Sequence, residues 1–464
     1  MYAWLAKARD GAARHPRAIA GGAFVVAAAI CAHHLAHLAA GQQAHVAHDS
    51  HTYLEIAARP FSWEHLFYPK PLMTPVLERW AGGEPDGIAM MQVWLAFAAW
   101  LALAGVLAIG LRRTRARLGA IAACCAFVLA PVRLGFTAMM LSESPDDSLR
   151  TLAIASVLAL MIVYAGASPR RAWWVALASA LVAVTTCAWL LVRDTNAMTC
   201  VAAVAIAVGL RPRWTWANRR ALAAPLAAAA AIVACSVVAF ASAHVIPDQP
   251  LGLSLLDGWA PESTPRAAFP LVDDMMIRVM TDADARQRAL DDGLPWNPSL
   301  DHYVGTGAYA DFLSDDRYAP PRAWILAHGT RAYASWFLRQ PIDRVEEVVQ
   351  NTWHILTPRD MADNYYMPPG WRGNGYGGPI MRTFRGATES PVVGFALMLG
   401  LVLWWRRVRA HWLAPVVACL LWSGVIGVFA AYYGDAMEMV RHAWGASQQL
   451  LLALWLGLIL RLDS

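Results

Sequence analysis

The sequence predicts an all-α polytopic membrane protein, with about ten transmembrane helices and a small, mainly α periplasmic domain inserted before the last three. Three observations predict it. Of the 464 residues, 58% are hydrophobic and 15% charged, where a soluble domain averages about 45–50% and about 25%. The mean hydropathy is +0.39, and the apolar residues fall in runs of membrane-span length rather than in alternation. Finally, arginines recur at every second connection between runs. Together these exclude a soluble enzyme, a disordered chain and a nucleic-acid-binding protein.

A span needs about 20 apolar residues. Such runs occupy 18–40, 88–111, 118–140, 149–167, 172–192, 195–210, 221–245, 390–405, 412–432 and 443–460. The first is too long for a signal-peptide apolar region and lacks a small-x-small cleavage site, so it reads as an anchor. The sixth is short and follows the fifth directly after Arg193-Asp194. A re-entrant pair is the alternative there, and it leaves the later topology unchanged.

Orientation comes from the basic connections: Lys7/Arg9/Arg14/Arg17, Arg112/Arg113/Arg115/Arg117, Arg170/Arg171, Arg211/Arg213/Arg219/Arg220 and Arg406/Arg407/Arg409. Placed in the cytoplasm, they put both termini on the cytoplasmic side of a bacterial inner membrane. Lys7 and Lys70 are the sole lysines, and with the alanine excess this points to a GC-rich bacterial genome. The seven cysteines lie in apolar runs without metal-ligand spacing and read as buried free thiols.

The chain thus divides into an N-terminal membrane module (1–245) with a first outer loop at 41–87, an outer domain at 246–388, and the C-terminal helices at 389–464. The outer domain holds 18 acidic residues against 13 arginines. Its ends are rich in proline and glycine, and Arg322–Gln340 and Ile342–Ile355 read as amphipathic helices broken at Pro341. The run Gly373-Asn374-Gly375-Tyr376-Gly377-Gly378 follows no strand and opens no helix, so it is no phosphate loop.

Polar residues at span ends sort by side. The outer ends collect acids and bases, whereas the inner face is almost pure arginine, and ionisable groups gathered this way mark a site. Asp49 follows the first span, ahead of the helical pattern Tyr53-Leu54-Glu55-Ile56. A carboxylate there suits a general base, and a helix cap by Asp49 or Ser50 is the alternative. Lys70 stands between Pro69 and Pro71, which fix its backbone. A stiffly mounted ammonium suits a lipid phosphate, with interfacial snorkelling as the alternative.

Glu143, with Asp146 and Asp147, reads as a short acidic loop able to hold a divalent cation or a sugar, or simply a solvated turn. Arg193 and Arg441 break the inside rule for arginine. They are candidate phosphate clamps, with pairing to Asp194 or Asp435 as the alternative. Histidines 45, 48 and 51, and 33, 34 and 37, have spacings that permit a metal or ordinary packing, and no metal site is assigned to them.

These features give the chain a resemblance to the GT-C superfamily of integral-membrane glycosyltransferases, and among them to bacterial protein mannosyltransferases and aminoarabinose transferases. The resemblance rests on Asp49 and Tyr53, on Tyr68-Pro69-Lys70-Pro71-Leu72, on Ser142-Glu143-Ser144, on Arg193 and on Arg441-His442. It implies Asp49 as catalytic base and Lys70, Arg193 and Arg441 as ligands of the donor phosphate. Tyr53, Glu143 and His442 would face the sugar or the acceptor. The implied reaction is inverting transfer of a sugar from a polyprenyl-phosphate donor to a lipid, glycan or protein acceptor of the cell envelope. Many relatives carry paired acids in the first loop, where this chain has Asp49 followed by Ser50. The outer domain matches no acceptor-binding module, so the acceptor stays open. No cofactor is assigned with the lipid-linked sugar donor, and a divalent cation is an option.

The main rival is a transporter or flippase of lipid-linked or small polar substrates. It predicts charges at span midpoints and an internal repeat, and neither is visible. A membrane acyltransferase using His33, His34 or His37 would need an acyl path from the arginine-rich inner face. An O-antigen ligase would place an arginine-rich loop outside, where this chain is net acidic.

Overall fold

A computed structural model describes residues 16–41, 45–46, 48–68, 70–165, 172–197, 199–200, 219–244, 267–306, 312, 315–356, 411–434 and 439–464. Among these residues the regular structure is helical, α with a few short 3-10 and π turns, apart from one isolated bridge between His45 and Met139. The helices are α1 (Pro16–Gly41), α2 (His48–Ala58), α3 (Met73–Trp80), α4 (Pro85–Gly110), α5 (Thr114–Val128), α6 (Pro131–Ala138), α7 (Glu143–Ala165), α8 (Ala172–Leu190) and α9 (Arg219–His244). They continue with α10 (Ala268–Asp274), α11 (Ala283–Asp291), α12 (Ala319–Arg339), α13 (Pro341–Leu356), α14 (Ala414–Gly434) and α15 (Met439–Asp463). Among the described residues, seven helices are long and apolar enough to cross a membrane: α1, α4, α7, α8, α9, α14 and α15. The protein is a multi-pass membrane protein. The expected span at 390–405 lies outside the described residues, as does most of 195–210.

Two boundaries differ from the sequence reading, each for a local reason. The span expected at 118–140 is two helices, α5 and α6. Pro131 has no N–H to give the helix and drives Ala130 before it to φ −62°, ψ 127°, in the extended region. The chain therefore stops one helix and restarts another with Pro131 in its first turn. The span expected from 149 begins instead at Glu143. Glu143 and Asp146 occupy its first turn, where the partial positive charge of a helix N-terminus favours carboxylates. The stretch read as a short acidic loop is helix from Glu143 onward.

Helix α4 packs against α1, α5, α6 and α7. It is opened by Pro85, whose fixed φ suits a first helical residue. On it Trp100 stacks on Phe127, with centroids 4.8 Å apart and planes 4° from parallel. Helices α14 and α15 meet closely because the crossing is lined by small residues. A methyl at Gly424 would lie 2.7 Å from Leu450 Cγ, and one at Gly427 2.9 Å from Ala446 Cβ. Apolar side chains such as Val25, Val26, Leu181, Val184 and Val237 point outward and exposed, as a lipid-facing surface requires. Trp173 and Trp174 open α8, in the position of an interfacial belt.

The two ends of the bundle differ. At one, Asp463 accepts the backbone N–H groups of Arg112 and Arg113, each at 2.7 Å, and lies 3.0 Å from His411 Nε2. At the other, about 32 Å away along α15 from Asp463, lie His442 and the first turn of α7. The segment 267–356 sits at that second end. The N–H of Ala267 bonds Ala243 O at the close of α9 at 3.0 Å. Its core of Val272, Met275, Leu300, Phe312 and Ile325 runs without a break into Tyr432, Tyr433, Ala443 and Ala446 of α14 and α15. The division between α12 and α13 falls at Pro341 as read from sequence.

Candidate functional site

Five separate pieces of chain meet at the second end of the bundle. The first begins at His45, which pairs with the extended residues after α6. Its N–H donates to Ala138 O at 2.8 Å and its carbonyl accepts from Met140 N–H at 3.3 Å. Ser50 then fastens α2 in place, donating from Oγ to Met140 O at 2.8 Å. Asp49 lies between these two anchors in the first turn of α2. Its side chain, like those of His48 and Arg441, is outside the described ones.

Lys70 comes from the second piece. Its half-buried Nζ lies 5.3 Å from the centre of the Tyr53 ring on α2, a cation–π distance. Tyr53 is itself buried, so the ring fixes the ammonium. Three residues on, Met73 N–H donates to Leu191 O at 2.9 Å, which brings the Lys70 segment alongside the chain leading to Arg193. The first loop also holds His65 between Phe61 and Tyr68, at 5.3 and 4.8 Å. Burial pushes its pKa below the usual imidazole range.

Arg193 is the hinge of the site. Its NH2 lies 3.3 Å from Glu143 Oε1 and 2.8 Å from His442 Nδ1. It pairs with Glu143 rather than with its neighbour Asp194. A guanidinium has only donors, so Nδ1 of His442 accepts and the neutral ring carries its proton on Nε2. Both contacts use one nitrogen, NH2, so the donors on Nε and NH1 have no partner among the described residues.

Behind these three lies a charge network that the sequence reading did not assemble. Arg150 lies 3.2 Å from Asp146 Oδ2 and 2.5 Å from Asp147 Oδ1. Arg133 bonds Asp147 and Gln448, with its guanidinium 4.5 Å over Trp100. Asp146 Oδ1 also accepts from Trp189 Nε1 at 2.8 Å and Asn196 Nδ2 at 2.7 Å. Three guanidiniums (Arg133, Arg150, Arg193) thus face three carboxylates (Glu143, Asp146, Asp147), all buried. Charges so far from water persist only when paired and hydrogen-bonded. The spacing of Arg150 from Asp146 and Asp147, four and three residues along a helix, carries part of this signal. Arg133 reaches its partners from another helix, which no local pattern reveals.

Asp146 and Asp147 are therefore engaged by arginines. Among the described residues no three His, Cys, Asp or Glu side chains stand close enough to hold a metal ion. His33, His34 and His37 are exposed on α1, with ring centroids 6.1 Å (His33–His34) and 4.6 Å (His33–His37) apart. The chain matches no family model, no curated protein and no solved structure.

Proposed function

We propose that the chain is an inverting glycosyltransferase of a bacterial inner membrane, moving a sugar from a polyprenyl-phosphate donor to a cell-envelope acceptor at the periplasmic end of a ten-span bundle. One observation carries the reading: the segments bearing Asp49, Lys70, Glu143, Arg193 and His442 are brought to one end of the bundle by backbone and side-chain bonds. A lipid-linked donor cannot leave the bilayer, so its phosphate must be met by cations at the boundary. Lys70, steadied by Tyr53, and the remaining donors of Arg193 supply them, with Arg441 one residue before His442.

In the reaction the acceptor hydroxyl gives its proton to Asp49 as its oxygen attacks the anomeric carbon. The bond from that carbon to the phosphate oxygen breaks, and the polyprenyl phosphate leaves with the electron pair. Attack from the face opposite the leaving group inverts the configuration. Fixed cations that strengthen their hold as charge develops on the phosphate lower the barrier. Glu143 and His442 hold Arg193, and so set where its other donors point. Tyr53 and His442 border the space for the sugar.

The test is transfer from a polyprenyl-phosphate sugar in proteoliposomes, with mass spectrometry of cell-envelope glycolipids and glycans as the readout in cells. Asp49→Asn should lower transfer about 10²–10⁴-fold, the usual worth of a positioned base, with membrane insertion unchanged. Near-normal turnover removes Asp49 from the mechanism. Lys70→Ala should raise the KM for donor more than that for acceptor, and Lys70→Arg should restore part of it.

A further inference from the structure

A polar cavity of about 620 Å3 opens where the segment 267–356 meets the end of α14. None of the candidate site residues above lines it; Tyr432 of the shared core does. Its floor is Arg278, which lies in a single π-helical turn, Met275–Val279; such turns concentrate at functional sites. That guanidinium is 4.1 Å from the Tyr432 ring centre and bonds the Tyr432 carbonyl. One wall is Trp336, buried, with the Arg344 guanidinium stacked on it at 3.9 Å. The indole N–H donates to Asp282 Oδ2 at 3.1 Å. Glu347 joins the two arginines, 3.4 Å from Arg278 NH1 and 3.3 Å from Arg344 NH1. At the mouth, Thr281 and Asp284 are exposed.

The chemistry of this lining selects a class of ligand. Two guanidiniums face three carboxylates, so neither an anion nor a cation is strongly preferred. Arg278, Arg344, Asp282 and Glu347 are held in position by aromatic stacking and by bonds to one another. Fixed acceptors beside fixed donors match hydroxyl groups, which donate to a carboxylate and accept from a guanidinium at once. The volume is within the range of about 300–1,000 Å3 usual for small-ligand sites.

The location adds a second argument. The first turns of α15 separate this cleft from the charge network. His442 and Gly445 face the network, where a methyl on Gly445 would stand 3.0 Å from both Arg150 NH1 and Asp146 Oδ2. Ala443 and Ala446 of the same turns belong to the core shared with the outer segment.

We propose that this cleft binds a hydroxyl-rich, largely neutral oligosaccharide and holds the acceptor glycan for transfer. Saccharide binding stands on the cleft alone; the acceptor role rests on the transferase reading above. The experiment presents the full chain in lipid nanodiscs to an array of neutral, acidic and amino-bearing oligosaccharides. At least one neutral member should be retained. Asp284→Ala, at an exposed side chain, and Thr281→Trp, which fills the mouth, should each weaken retention at least tenfold, and Asp49→Asn should bind as the parent does. Retention of no glycan, or of acidic ones alone regardless of cleft substitutions, overturns the proposal. Transfer separates the two readings. Asp49-dependent transfer without cleft binding sinks the cleft alone. Cleft binding without any transfer sinks the transferase reading and leaves a glycan-binding membrane protein.

Discussion

Glu78 shows how burial alone changes what a side chain is at neutral pH. It is 1% exposed on α3, and neither of its oxygens has a hydrogen-bond partner among the described residues. Burial pushes its carboxyl up from 4.5 to about 9, so the folded protein holds it neutral. A carboxyl raised in the folded state contributes stability that is fully present below its unfolded value. That stability is lost as pH rises from about 4.5 to about 9, at about 1.4 kcal/mol per pH unit. Glu78→Gln should therefore flatten the alkaline fall of the thermal midpoint, and an unchanged pH profile would show that water reaches this carboxyl. The buried arginines behave oppositely to surface ones. Arg150→Met strands Asp146 and Asp147 partly uncompensated and should cost about 3–5 kcal/mol in detergent unfolding. Arg286→Met, whose pair with Asp301 is open to water, should cost less than about 1 kcal/mol.

Among the elements, the broken helix pair α5–α6 has the clearest consequence. The restart at Pro131 sets the direction of α6, and with it Arg133 beneath Trp100 and the extended Met139–Met140 that receives His45. Pro131→Ala lets one continuous helix form, which would rotate Arg133 away from Asp147. Transfer should fall while membrane insertion and expression persist; retained activity would mean that the break does not position the network. Sequence patterns carried much of the element list, because span hydropathy and the Pro341 break are local properties. The start of α7 at Glu143 was hidden because its first turn is polar, so a hydropathy reading trims it. The outer-end residues were legible as a group, since arginine placement sorts the two faces. Their wiring was not, because Arg193 finds Glu143 and His442 across 50 and 249 residues, and no periodicity spans such gaps.

At the scale of the whole molecule, the two unlike ends make a prediction about sidedness. If the arginine-rich end is cytoplasmic, a cysteine at Asp284 should react with a membrane-impermeant maleimide added outside intact spheroplasts. One at Arg115 should react only after permeabilisation. The native cysteines lie in the membrane bundle, buried or half-buried, so the background is low. The reverse labelling pattern would turn the bundle over and put the acidic site out of reach of the cell envelope.

The depth of the network around Asp147 also governs how the protein responds to ionic strength. Mobile ions shorten the electrostatic range in water to about 3 Å at 1 M salt, yet they cannot enter where Arg133, Asp147 and Arg150 are each under 5% exposed. Membranes washed in concentrated salt should lose loosely adsorbed material and weaken rim contacts such as Arg317–Asp315, while the polar heart of the bundle keeps its shape.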